Sequence, residues 1–247
     1  MAPRPASSLP PRLPRPLRGV FLDAGDTLLC PWPSFHERFQ LVAQEHGVRF
    51  ELAEVEAAWV TAIREALWPE DWTDPATQRQ FWHGFYLEVL RHLPFDGDAA
   101  RLAEAAYEVF SDPATYRLFD DSRPALEALA ARGLTLGVIS NFEPWLRDVL
   151  ALQQVDHLFA TVTISGVIGI AKPDPGIFHA ALDTAGVRAG EALYVGDQPE
   201  IDAKAAEDVG MTPVLIDRFG RRPEPLPWPR ITSLTELVDL LDQDHER

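Results

Sequence analysis

From residue 20 onward the chain alternates between two kinds of apolar pattern. Residues 20–22, 134–139, 192–195 and 213–216 are short, nearly continuous apolar runs closed by polar residues or glycine, as strands buried on both faces are. Between them the spacing is helical. Residues 122–132 read as a helix with Ser122 at its N-cap, Pro124 in the first turn and Gly133 just past the end. Segments 175–185 and 200–209 follow the same logic, each running toward a glycine before the next strand. Strand-helix-strand repetition of this kind predicts an α/β fold, a doubly wound parallel sheet with ligands at the carboxyl ends of its strands.

One stretch breaks the alternation. No convincing strand is expected between residues 31 and 119, whereas 51–67, 73–93 and 98–110 carry apolar residues at spacings of three and four. An inserted helical cap domain is the expectation. Five of the seven tryptophans fall here, namely Trp32, Trp59, Trp68, Trp72 and Trp82, and either fill the cores of thin helical pairs or face a substrate pocket. The expected division is a Pro/Arg-rich disordered leader over 1–17, an α/β core over 18–30 and 120–247, and the cap over 31–119.

Composition narrows the function. A formal charge of −16 argues against a nucleic-acid surface, which needs clustered Lys and Arg. No apolar run approaches the roughly 20 residues that cross a bilayer, so no membrane partner is expected. The single cysteine, Cys30, excludes an internal disulfide framework and suits a cytoplasmic protein. The leader's prolines work against an amphipathic targeting helix, and it has no apolar stretch for a signal peptide. The stretch 221–229 reads as a surface loop.

Candidate chemistry sits where the predicted strands end. The first closes in Asp23-Ala24-Gly25-Asp26-Thr27, which places a carboxylate at the sheet edge, though Asp and Gly are also ordinary turn formers. The second ends in Ser140-Asn141, two side chains able to hold an anionic ligand or to cap the next helix. Lys172 lies in an Ile-Ala-Lys-Pro-Asp-Pro segment and is one of only two lysines among 22 basic residues. A compact ammonium retained in so arginine-rich a chain fits a site that a guanidinium fork would not. A later strand ends in Gly196-Asp197, with Asp202 on the turn into a helix; such a pair suits Mg²⁺, or Asp202 simply favours the helix's positive end.

Taken in order, Asp-x-x-x-Thr, Ser-Asn, Lys-Pro-x-Pro-x-x-Phe and Gly-Asp-x-x-x-x-Asp resemble the four motifs of the haloacid dehalogenase-like (HAD) superfamily. The insertion resembles the C1 cap of its subfamily I. The resemblance implies that Asp23 is a nucleophile forming an aspartyl-phosphate, with Lys172 orienting it. It implies that Thr27, Ser140 and Asn141 hold phosphoryl oxygens. Mg²⁺ would be ligated by Asp23, Asp197 and the Gly25 carbonyl, with Asp202 in or just beyond that set. The usual second Asp of the first motif, a general acid, is replaced here by Gly25, and the acid comes one residue later at Asp26. That swap, with Ser111-Asp112-Pro113 and the approach to Leu118-Phe119-Asp120, resembles the branch named for rhythmically expressed gene two. The expected activity is Mg²⁺-dependent hydrolysis of a small phosphorylated metabolite. The alternatives are a carbon-halogen hydrolase and a ligand-binding module with weak or no turnover. Without the general acid, esters with poor leaving groups should suffer most, unless Asp26 or a cap residue supplies the proton.

Overall fold

In a computed structural model of the protein the described residues are 13–67, 69, 72–221 and 226–245. The expectations for residues 1–12, for Trp68 and for 222–225 fall outside them. Strand β1 (Gly19–Leu22) leads through the short strand β2 (Leu29–Pro31) into four helices, α1 (Phe35–Glu45), α2 (Leu52–Glu65), α3 (Pro75–Arg91) and α4 (Ala99–Phe110). Strand β3 (Tyr116–Leu118) brings the chain back antiparallel to β2, with Leu29 opposite Leu118. There follow α5 (Ser122–Ala131), β4 (Thr135–Ser140), α6 (Leu146–Leu152), β5 (Thr161–Ile164), α7 (Ser165–Ile168), α8 (Pro175–Ala185) and β6 (Ala192–Gly196). A π-helical turn (Pro199–Lys204) runs into α9 (Ala205–Asp208), and β7 (Thr212–Ile216), β8 (Arg230–Ile231) and α10 (Leu234–His245) complete the fold.

Six strands pair in parallel in the order β5-β4-β1-β6-β7-β8. Helices cover both faces. Along β1, Val20 and Leu22 enter one core with Leu126, Val149 and Leu237 from α5, α6 and α10. Phe21, pointing the other way, meets Phe178 of α8 and Ala206 of α9 in a second core. The period of two explains why the predicted strands read as unbroken apolar runs: each residue faces a hydrophobic layer. The chain moves outward from β1 to β4 and β5, then returns to place β6 on β1's other side, so the direction reverses at β1. Ligands bind at such a switch point.

The helical insertion has its own core, which includes Phe39, Val55, Phe85, Val89 and Phe110. Helices α1, α3 and α4 start at side-chain caps. Ser34 accepts from the Glu37 amide, Asp74 from those of Ala76 and Thr77 ahead of Pro75, and Asp98 from that of Arg101; these satisfy N–H groups that the first helical turn leaves open. Among the described residues no helix is long and apolar enough to cross a membrane.

Several details differ from the sequence reading. β3 lies where no strand was expected, and α1, β5 and β8 were not foreseen; Thr161–Ile164 mixes polar and apolar positions, and β8 is only two residues long. Ser122 is not an N-cap. Asp121 holds that position, while the Ser122 hydroxyl donates to the Leu28 carbonyl at 2.7 Å and ties α5 to the β1–β2 loop. Residues 13–17 do not continue a floppy leader: Leu13 is buried in the first core and Leu17 packs against it, because leucine gains more from that apolar surface than from water.

Candidate active site

Because β1 lies between β4 and β6, the residues that follow these strands meet at one edge of the sheet. The Asp23 amide still donates to the Val195 carbonyl at 2.8 Å, so Asp23 continues the β1 ladder into the cleft. Its Oδ1 accepts from the Ser140 hydroxyl at 3.0 Å and from Lys172 Nζ at 2.7 Å. Lys172 Nζ also donates to Asp202 Oδ1 at 2.6 Å and to the Tyr194 hydroxyl at 2.9 Å. The five side chains form one buried network, with Lys172 5% and Asp202 1% exposed.

The charges follow from this arrangement. Burial by itself disfavours the Lys172 ammonium, but Asp202 and then Asp23 outweigh it and hold the ammonium above its ordinary range. Burial lifts the Asp23 carboxyl, with the neighbouring Asp202 charge in support and Lys172 opposing. Tyr194 stays a neutral phenol, pushed up by burial and by the two carboxylates.

Asp202 reaches this position by an unusual backbone. The π-helical turn carries its amide and that of Ala203 onto the Gln198 carbonyl, and its Oδ2 accepts from the Gln198 amide at 3.0 Å. A Cβ on Gly196 would lie 2.4 Å from the Asp202 Cγ, so only glycine lets the carboxylate lie against the strand end. Oxygens of Asp23, Asp197 and Asp202 all come within 4.8 Å of one another, an arrangement that could hold a metal ion. An all-oxygen donor set suits Mg²⁺. The Asp202 oxygens also accept from Lys172, Tyr194 and Gln198, and Asp23 Oδ1 accepts from Ser140 and Lys172.

Asn141 and Thr27, both expected to hold phosphoryl oxygens, have different surroundings. Asn141 borders the cleft, yet its Nδ2 donates to the Lys172 carbonyl at 2.8 Å and its Oδ1 accepts from the Lys172 amide at 2.7 Å. Both ends of the amide are thus occupied in locking the lysine's backbone. Thr27 is wholly buried, does not line the cleft, and its hydroxyl has no hydrogen-bond partner among the described residues. The turn at Asp26, which has a φ of 52°, directs Thr27 inward, and the Thr27 carbonyl accepts from Arg218 at 2.9 and 2.7 Å. Exchanging Gly and Asp in this loop has therefore placed aspartate at the left-handed position, which it tolerates better than most residues. Asp26 lines the cleft with its Oδ2 3.8 Å from Arg221.

The cleft opens into a cavity of about 400 Å³ between the sheet edge and the helical insertion. Trp59 and Trp82 line it, together with Phe35, Phe85 and Tyr86. Trp72 is buried against Phe81, and Trp32 lies at the surface beside Arg117, so these two do not face it. Three polar groups escaped the sequence reading. Tyr194 was hidden in a strand. His36 is buried on α1 edge-on to Trp59, and burial, helped by Arg221, lowers its imidazole to about 4, so it is neutral near pH 7. Glu143 lines the same cavity, and burial lifts its carboxyl to about 7 against the opposing Trp145 side chain. The adjacency of Glu143 to Ser140-Asn141 was the one signal that pointed to it.

Comparison with known proteins agrees with this geometry. A family model described as haloacid dehalogenase-like hydrolase matches residues 17–210. The chain is 33% identical over 225 residues to phosphoserine phosphatase of Thermus thermophilus, covering 83% of this chain and 90% of that protein. It is 31% identical over 208 residues to haloacid dehalogenase-like hydrolase domain-containing protein 3 of Danio rerio, covering 82% and 86%. A HAD phosphatase from Thermococcus onnurineus of known crystal structure superposes with a TM-score of 0.61 at 26% identity, over 91% of this chain and 98% of that one.

Proposed function

The chain belongs to the haloacid dehalogenase-like hydrolase family, and from that premise we propose that it is a Mg²⁺-dependent phosphatase of small phosphorylated metabolites, working through an aspartyl-phosphate. The observation that carries this reading is the Lys172 ammonium held between the Asp23 and Asp202 carboxylates, with Asp197 beside them at the strand ends. Asp23 is the nucleophile. Lys172, fixed by Asp202, Tyr194 and the Asn141 clamp, orients Asp23 and offsets the charge of the arriving phosphoryl group. Ser140, whose hydroxyl now donates to Asp23, is free to turn to a phosphoryl oxygen once one is present. Mg²⁺ on Asp23, Asp197 and the Gly25 carbonyl would supply charge neutralisation at those same oxygens. Catalysis of this kind rests on positioning and electrostatics.

The helical insertion, residues 31–119, acts in this reading as a cap whose aromatic side chains receive the rest of the substrate. The phosphoserine phosphatase and a further relative, glyceraldehyde 3-phosphate phosphatase of Methanopyrus kandleri, are named for phosphate monoesters, which supports the substrate class. The test is a screen of phosphate monoesters with and without Mg²⁺, scored by phosphate release, beside 2-chloroalkanoates scored by chloride release. Mg²⁺-dependent phosphate release that Asp23→Asn abolishes is the expected result. Chloride release without metal, or binding without turnover, would reject it.

A further inference from the structure

We propose that Glu143 is the general acid of this site, replacing the carboxylate that Gly25 lacks; the assignment rests on the phosphatase reading. Glu143 lies three residues beyond Ser140, at most about 11 Å along the chain, and Ser140 touches Asp23. Both carboxyls line the same cavity. The Glu143 loop is held in place from behind. Ser165 accepts from the Phe142 amide at 3.1 Å, and a Cβ on Gly166 would come within 3.2 Å of the Glu143 Cα.

Glu143 is 7% exposed, and no lysine or arginine among the described residues neutralises it. It has the Trp145 side chain as a hydrogen-bond partner but no counter-charge, and such carboxyls are rarely buried without a task. The titratable groups that feel its charge are phenols, Tyr86 on α3, Tyr107 on α4 and Tyr116 on β3. Its apolar surroundings keep the proton on near neutrality, as a general acid requires. At the position usually occupied by the acid, Gly25 presents only the Phe35 ring, 3.6 Å from where its Cβ would be.

In the first step Asp23 attacks phosphorus and the bond to the leaving oxygen breaks. The electron pair goes to that oxygen, which takes the Glu143 proton and departs as the alcohol. In the second step water attacks phosphorus and the Asp23–phosphorus bond breaks, with its pair returning to the Asp23 carboxylate. Glu143 takes the water's proton and is restored.

The experiment measures kcat/KM for a series of aryl and alkyl phosphates, from nitrophenyl to n-butyl phosphate, in wild type, Glu143→Gln, Glu143→Asp and the double variant Gly25→Asp/Glu143→Gln. In Glu143→Gln the loss should grow with leaving-group pKa, to about 10²-fold on n-butyl phosphate and far less on nitrophenyl phosphate. Glu143→Asp should recover part of the alkyl rate. Gly25→Asp should restore it in the double variant, since a Cβ at 25 meets only ordinary contacts. The wild-type alkyl rate should fall as pH rises through about 7, and this limb should vanish in Glu143→Gln. Titration of the substrate phosphate would show instead with every ester and every variant. Equal loss on all esters, or no loss, overturns the acid assignment while leaving the phosphatase reading intact. Absence of Mg²⁺-dependent phosphate release from every ester, nitrophenyl phosphate included, overturns both.

Discussion

At Lys172 a single ammonium serves Asp23, Asp202 and Tyr194, so its removal strands two buried carboxylates. Lys172→Met should therefore cost about 3–5 kcal/mol of stability near neutral pH, with a smaller loss near pH 5 where a stranded carboxylate can take up a proton; urea unfolding at the two pH values checks this. Asn141→Ala removes only the two hydrogen bonds to the lysine's backbone. Stability should fall by about 1–2 kcal/mol, but kcat by up to about 10²-fold through misplacement of the ammonium. A phosphate-binding role for Asn141 would show mainly in KM. Glu143 offers a linkage test. Its folded carboxyl is raised to about 7, above the ordinary value of 4.5, so the folded state holds its proton after the unfolded state has lost it. The contribution of this group to stability is full below about 4.5, declines as pH rises toward 7 and is flat above it. Glu143→Gln should accordingly be more stable than wild type at pH 8, by a difference on the order of 1–3 kcal/mol, and lose that advantage near pH 4.5. An equal difference at both pH values would show that the carboxyl titrates normally.

Among the elements, the helical insertion was largely legible and its attachment was not. The recurrence of apolar residues at three and four is local, so α2, α3 and α4 were placed to within two residues at either end. Strands β2 and β3 are three residues each and are held by pairing with one another across the whole insertion, a partner that local spacing does not reveal. A contact between the insertion and the sheet domain at the cavity is Arg221, which reaches Glu56 on α2 at 3.0 Å and lies over the Phe219 ring. A half-exposed ion pair of this kind contributes at most about 1 kcal/mol. Arg221→Ala should therefore leave the melting temperature almost unchanged while altering KM, if this contact sets how the helical insertion sits over the cavity. A KM within twofold of wild type would remove Arg221 from that role.

For the molecule as a whole, metal and fold should be linked. Binding of Mg²⁺ to the folded state alone adds about 2.7 kcal/mol of stability at 100 times its dissociation constant. Thermal melts with and without Mg²⁺ should show that gain in wild type and little of it in Asp197→Asn. The layered architecture and the places where chemistry gathers could be read from the chain by itself, because strand period, helix spacing and turn residues are each encoded within a few neighbours. Asp23, Ser140 and Asp197 were found at strand ends for that reason, and Lys172 in the loop ahead of α8. Which way a side chain turns from such an edge depends on strand order, twist and loop geometry, and these involve residues more than a hundred positions apart. Hence Asn141 turns to the lysine's backbone and Thr27 turns into the core, Tyr194 joins the lysine network from inside a strand, and His36 and Glu143 meet in one cavity only after the helices fold over the sheet.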